Sequence, residues 1–318
     1  MIKWTNNSGL HPVVVAAIVD DDYTRGKSAY SVTQLIDSPH RVKLMNKLTA
    51  DPDVEVEQEV GDMIYALFGK LIHNMLETGY VKASGKKAEI VANLCPGEYD
   101  IEVEDRLYAQ DMDVTWSGQY DLLYNKDGVV ILEDHKVVSI AEFSVNRQES
   151  KWEQQLNLLA LLVRRNGGRV DELAINCYYR DWSKAKAAYD RTGDYPPHQT
   201  MRVPIRLWSQ EKQQKFLEYR LEEHLNNNDE CSKKDRWMSE ETWKVMLPGA
   251  ARSSRNLPTQ IAAENWLSSK MQEDKKFRKA TIEHHEGASI RCLFYCAAAP
   301  HCLQWKELNT GKFGGKID

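Results

Sequence analysis

Residues 114–138 read VTWSGQYDLLY, NKDG, VVILEDHKVV. Two apolar, β-branched and aromatic runs flank an Asp-Gly pair, and that pair supplies the positive φ of a tight turn, so the stretch predicts a β-hairpin. Side chains alternate along a strand, so Asp134 and Lys136 share a face. With a two-residue turn at Asp127-Gly128, Asp121 lies directly opposite Asp134. With a four-residue loop from Asn125 to Gly128, it opposes Leu132, one diagonal step away. Either register gathers Asp121, Asp134 and Lys136 on one face within about 5–8 Å of each other. Like charges facing each other across a sheet are destabilising. A hard divalent cation such as Mg²⁺ removes that cost, being held by one or two carboxylates plus water and substrate phosphate. Lys136 can then orient or activate an attacking water, or neutralise charge developing on phosphate. The alternative is a solvated strand face with a cross-strand ion pair. Gly118 permits close backbone approach, and the apolar run Val129–Leu132 has Asp134 emerging from a core. Strand parity puts Glu133 on the face opposite Lys136.

Outward from the hairpin, Val60, Met63, Ile64, Leu67, Leu71, Met75 and Leu76 recur at helical steps and predict a helix over about 56–80. A second stripe on it, Ala66, Gly69, His73 and Glu77, has small residues that let another backbone approach. Residues 99–113 alternate as strand, and Glu104 there could join a metal shell or stay solvated. A helix is expected over about 151–165, with Trp152, Leu156, Leu159 and Val163 on one face and Gly167-Gly168 as its stop. A strand at LAINCYYR (173–180), a loop over 181–197, a strand over 201–207 and a helix over 210–225 follow. Arg164, Arg165, Arg169, Lys184, Lys186 and Arg191 could form a basic rim, or ordinary solvated surface.

The composition, 42% hydrophobic and 28% charged over 318 residues, excludes disordered and collagen-like chains. The apolar run Val13–Val19 is too short to span a bilayer and lacks the flanks of a secretion signal, so a soluble cytoplasmic protein with no membrane partner is expected. A net charge of −5 excludes a protein that holds nucleic acid by net charge alone, but a basic groove can sit on an acidic chain.

Cys95 and Cys177 stand alone, whereas Cys231, Cys292, Cys296 and Cys302 fall in the last third. Without an export signal they read as metal ligands rather than as a disulfide framework. Four thiolates suit Zn²⁺ or an iron–sulfur cluster. His284, His285 and His301 lie nearby and read as exposed histidines.

Gly69 to His73, Gly118 to Asp121, Asp134 to Lys136, and Gln155 stand in an order that resembles the PD-(D/E)XK nuclease superfamily in its RecB-like branch. That family shows G-x-x-x-H on a helix, then G-x-x-D, then (D/E)-x-K on an apolar strand, then Q-x-x-x-Y on a helix. Leu159 stands where the tyrosine would be. The chain is more closely similar to phage-encoded RecB-like exonucleases at SVTQLIDSP (31–39), WEQQLNLLALL (152–162), RDWSKAKAAYD (180–190), DYPP (194–197), and SIRCLFYC (289–296) with PHCLQW (300–305). The resemblance implies an α/β, restriction-endonuclease-like mixed sheet flanked by helices over 28–210, with a helical, cysteine-clipped extension over 211–318. It implies cleavage of DNA phosphodiesters with Mg²⁺ or Mn²⁺, by an exonuclease rather than an endonuclease, in phage recombination or replication within a bacterial host cell, beside a single-strand annealing protein. His73, Asp121 and Asp134 would hold the metal, and Lys136 and Gln155 would complete the catalytic set. Cys231, Cys292, Cys296 and Cys302 would carry a [4Fe-4S] cluster, with Zn²⁺ the alternative. Ser38-Pro39 stands where several relatives have a Cys-Pro ligand. The competing expectation is a catalytically weak DNA-binding accessory protein that keeps the fold.

Overall fold

The computed structural model describes residues 1–318 except 20–25, 83–89, 91–92, 96, 104, 145–146, 227–228 and 310–318. Glu104 therefore lies outside the described residues. The chain divides into two compact units, Met1–Asn228 and Asp229–Asp318. The division falls later than the expected 210/211 boundary. Leu217 and Leu221 of the helix Gln210–Leu225 are fully buried in the first unit's core, which ties that helix to the first unit.

The first unit runs β1 (Ile2–Thr5), α1 (Pro12–Val19), β2 (Tyr30–Ser31), α2 (Val32–Leu35), α3 (Pro39–Ala50), β3 (Val56–Glu59), α4 (Ile64–Lys82), β4 (Tyr99–Val103), β5 (Arg106–Asp111), β6 (Val114–Gln119), β7 (Leu122–Lys126), β8 (Val129–Val138), α5 (Ile140–Ser144), α6 (Arg147–Arg165), β9 (Glu172–Tyr179), α7 (Lys184–Tyr189), β10 (Thr200–Ile205) and α8 (Gln210–Leu225). It is a mixed α/β unit with several sheets flanked by helices. The central sheet has the order β10-β9-β8-β7-β4. Its β8 and β9 are parallel, joined through α5 and α6, and its other pairs are antiparallel. A second sheet has the order β2-β6-β5, and β1 pairs in parallel with β3.

The hairpin forms with the shorter turn. Lys126 pairs with Val129 and Leu122 with Glu133, and Asp127 and Gly128 both take positive φ. What reads as one strand over 114–124 is two. It breaks at Tyr120-Asp121, where the chain leaves the β2-β6-β5 sheet and enters the central one, so Asp121 sits in the junction. Helix α6 lies beneath both sheets. Residues 156 and 158–163 on it are all buried apolar positions, because the helix is covered on more sides than the single stripe predicts.

Gly118 explains how α6 comes so close. A Cβ there would lie 2.5 Å from Leu159 Cδ2 and 2.9 Å from Val32 Cγ2. Gly118→Ala is accordingly expected to destabilise the first unit by about 1–3 kcal/mol through overpacking, read as a lower urea midpoint with an unchanged slope.

The helix expected over 56–80 begins late. Val54-Glu55-Val56-Glu57 alternates with period two, and Val56–Glu59 pairs with Ile2–Thr5 before a 3₁₀ turn at Val60–Met63. The Glu59 carboxylate ends that strand. It accepts from Thr5 Oγ1, from the Asn7 and Ser8 amides and from Ser8 Oγ, and these bonds hold its pKa down to about 2. On α4 the apolar stripe is only partly used, since Leu71 and Met75 are about half exposed.

The second unit contains an antiparallel sheet, β12-β11-β13, of β11 (Thr242–Met246), β12 (Arg255–Leu257) and β13 (Thr281–His285). Helix α9 (Gln260–Glu273) packs on it through Ala263 and Leu267, with Phe277 from a 3₁₀ turn at Lys275–Lys279. Short helices α10 (Ile290–Phe294) and α11 (Leu303–Asn309) end the described chain.

Candidate active site

Asp121 and Asp134 are both nearly buried, at 5% and 3% exposure. Asp121 Oδ2 accepts the backbone N–H of His135 at 2.7 Å, and its Oδ1 stands 3.4 Å from His73 Nδ1 on α4. Asp134 Oδ1 accepts from Gln155 Nε2 at 2.9 Å, and its Oδ2 is 2.6 Å from Lys136 Nζ. The five residues singled out from the sequence thus come together from four places: α4, the β6–β7 junction, β8 and α6.

Burial and the neighbouring Asp134 push the Asp121 carboxyl up to about 7, against the opposing pull of Lys136, His73 and the His135 amide. Burial pulls the Lys136 ammonium down, but Asp134 and Asp121 outweigh it and hold the group above its ordinary range. Two carboxylates brought out of water beside each other carry a cost that folding alone does not repay.

The site opens into a cleft of about 1020 Å³. Gln155 and Leu159 of α6, Lys70 and His73 of α4, and Arg106 of β5 are among the residues that line it. Lys70 fills an unspecified position between Gly69 and His73, and Arg106 lies in no motif, so neither is marked in the sequence. Leu159 forms part of the wall where the resemblance places a tyrosine.

The opposite face of β8 holds a separate polar layer. Glu133 accepts from Tyr124 Oη at 3.0 Å, Asn176 Nδ2 at 2.6 Å and Arg202 Nε at 2.5 Å, which fixes it away from Asp134 as strand parity requires. His135 stacks on Tyr178 and shares a 2.9 Å hydrogen bond with its hydroxyl. The alternation Glu133, Asp134, His135, Lys136 in a buried strand is the sequence signal for two polar faces.

The expected basic rim divides. Arg164 is committed to Gln213 and the Val170 carbonyl, Arg165 to Asp111 and Gln214, and Arg169 to Asp171 and the Gly128 carbonyl. Arg164 and Arg165 fasten the end of α6 to its neighbours, and Arg169 ties the segment after it to the β7–β8 turn. Lys184, Lys186 and Arg191 are exposed, and the first two sit on the short helix α7 inside the stretch expected to be loop.

In the second unit, Gln304 donates to the Cys231 carbonyl and accepts from its amide, at 3.0 and 2.8 Å. Backbone bonds from Arg291 to the Arg236 carbonyl and from Ser239 to the Ala288 carbonyl continue the clasp. This brings Cys231 to the C-terminal cysteines. Burial, with Cys296, Cys231 and Cys302 nearby, pushes the Cys292 thiol up to about 11. His284 pairs with Glu241 and stacks on Trp243. Among the described residues no three His, Cys, Asp or Glu side chains stand in a ready-made metal-holding arrangement, and no helix is long and apolar enough to cross a membrane.

No family model and no curated protein matches the chain. Among solved structures, the crystal structure of SSO0001 is similar at 11% identity and a TM-score of 0.39, spanning 66% of this chain and 83% of that one.

Proposed function

We propose that the chain is a divalent-metal-dependent deoxyribonuclease, acting as an exonuclease, with a restriction-endonuclease-like core of the RecB-like branch and a cysteine-clipped extension. The observation that carries this is the meeting of Asp121, Asp134, Lys136, His73 and Gln155 in the lining of a large cleft. The donor set fits a hard cation: two buried carboxylates that repel each other, with an imidazole beside one of them. Asp121, Asp134 and His73 would hold Mg²⁺ or Mn²⁺. When bound, such an ion offsets the carboxylate repulsion and supplies Lewis-acid chemistry to phosphate and water.

The chain's own groups then have distinct tasks. The His135 amide occupies Asp121 Oδ2 and turns Oδ1 toward His73. Gln155 holds Asp134 Oδ1 and sets that carboxylate's plane. Lys136 presents an ammonium where charge develops on the phosphate oxygens, the kind of preorganised electrostatic help that accelerates phosphoryl transfer. One feature favours the weaker alternative, a binding protein with reduced catalysis: Leu159 puts an alkyl wall where the family motif has a phenol. End-labelled linear and closed circular DNA, single- and double-stranded, incubated with Mg²⁺ or Mn²⁺, separates the two. An exonuclease degrades linear DNA and spares circles; a binding protein shifts both and degrades neither.

The four-cysteine segment fits a structural centre. Cys231, Cys292, Cys296 and Cys302 would hold a [4Fe-4S] cluster or Zn²⁺, and a set made only of thiolates leaves no open position for chemistry. Cys296→Ser is expected to lower the melting temperature and the iron or zinc content of anaerobically purified protein together. An equally stable variant from a metal-free wild type would make these ordinary free thiols. A setting in phage recombination within a bacterial cell, beside a single-strand annealing protein, follows from the same resemblance.

A further inference from the structure

Charge is unevenly divided between the two units. Residues 229–318 hold 15 Lys and Arg against 12 Asp and Glu, a net +3. Residues 1–228 hold 27 against 35, a net −8. Within the second unit the positive charge is further concentrated. Val245 pairs with Arg255, and Met246 with Thr281, so the end of β11, the start of β12 and the start of β13 lie at one end of the sheet. Arg252, in the turn between β11 and β12, and the run Lys275-Lys276-Phe277-Arg278-Lys279, which leads into β13, belong to that end. The other end pairs Thr242 with His285 and carries Glu241 and Glu286, while Glu283 pairs with Lys244 at mid-sheet.

The run is held in place. Phe277 is buried against Val245, Ala263 and Leu267, with its ring edge-on to Trp266 at 5.4 Å. Asp274 accepts the Lys276 amide at 3.0 Å, and Phe277 and Ala280 close the turn with backbone bonds. Lys276 is ion-paired to Asp274. Arg252, Arg255, Lys275, Arg278 and Lys279 are exposed and pair with no carboxylate among the described residues. Five uncompensated cations on a fixed frame repel one another, and a polyanion relieves that repulsion.

We propose that this end of the second unit is a phosphate-backbone contact for nucleic acid, binding by charge without reading bases. It rests on the DNA reading only for the identity of the polyanion. Cations gathered over a short turn and a sheet end offer positive charge to a run of phosphates, the kind of contact that positions nucleic acid without carrying sequence information.

The test uses the full chain in EDTA, where cleavage is suppressed, with a fluorescently labelled duplex and anisotropy read at stepped salt concentrations. Replacing Lys275, Arg278 and Lys279 together by alanine should make the plot of log affinity against log salt shallower by about 2–3, at roughly 0.9 for each phosphate left without its cation. R278A alone should lower the slope by about one, which covers the case of a poorly folding triple variant. Unchanged affinity and slope in both variants overturn the proposal. So does an unchanged DNA affinity with abolished binding to polyglutamate, which would make the surface a protein-binding one, and so does a wild-type chain that binds no duplex. A wild type that cleaves while the variants keep its salt slope removes this surface from DNA binding and leaves the nuclease reading intact. A wild type that does not cleave, with variants whose slope falls, does the reverse.

Discussion

Asp134→Asn and Asp121→Asn should each reduce DNA cleavage by about three orders of magnitude, the scale on which one preorganised charge acts in a closed site, while duplex affinity in EDTA changes by only a few-fold. Asparagine keeps the shape of the carboxylate. At position 134 its carbonyl can still accept from Gln155, and at 121 it can still accept the His135 amide, so the loss isolates charge from architecture. The Asp121 variant has a second consequence. A carboxyl whose folded pKa is raised to about 7 contributes stability below the unfolded value, and that stability is lost as pH rises from about 4 through about 7. Metal-free wild type should therefore melt lower at neutral pH than at mildly acidic pH through this group, and Asp121→Asn should remove that component. At neutral pH the inactive variant is then expected to melt no lower than wild type, the pattern of a residue retained for chemistry at a cost in stability.

Lys136→Ala should lower kcat by about 10²–10³-fold with metal affinity nearly unchanged. Its ammonium touches Asp134 but is a donor without ligating capacity, so its removal takes charge from the transition state rather than from the cation shell. Single-turnover cleavage at saturating DNA, with Mn²⁺ binding measured by calorimetry, separates these terms. A variant with normal turnover and weakened DNA affinity would make Lys136 a phosphate-binding group.

The hairpin was legible because its turn chemistry and its two periods agree. Asp127-Gly128 admits a two-residue turn, and that register places Asp121 directly across from Asp134 rather than one diagonal step away. Helix α6 was legible from its apolar stripe and its Gly167-Gly168 stop. Other features depend on partners far along the chain. The strand at 56–59 forms because Ile2–Thr5 lies beside it, and four residues of period-two sequence inside an apolar, helix-like window do not announce a partner more than 50 residues away. The break at Tyr120-Asp121 reflects a change of sheet, which no local pattern encodes. The β5–β6 turn uses Met112 and Asp113 at positive φ without a glycine, so the usual turn signal is absent. Arg164, Arg165 and Arg169 look like a rim in sequence because charge is visible there and hydrogen-bond partners are not.

The most direct measurement is loss of end-labelled linear duplex by wild-type protein that has been stripped with chelator and then given back Mg²⁺ or Mn²⁺. Cleavage that is absent in EDTA, returns with the metal and stays absent in Asp134→Asn treated the same way is the predicted result. DNA left intact by a folded, metal-replenished wild type, or degraded equally by Asp134→Asn, would contradict the account.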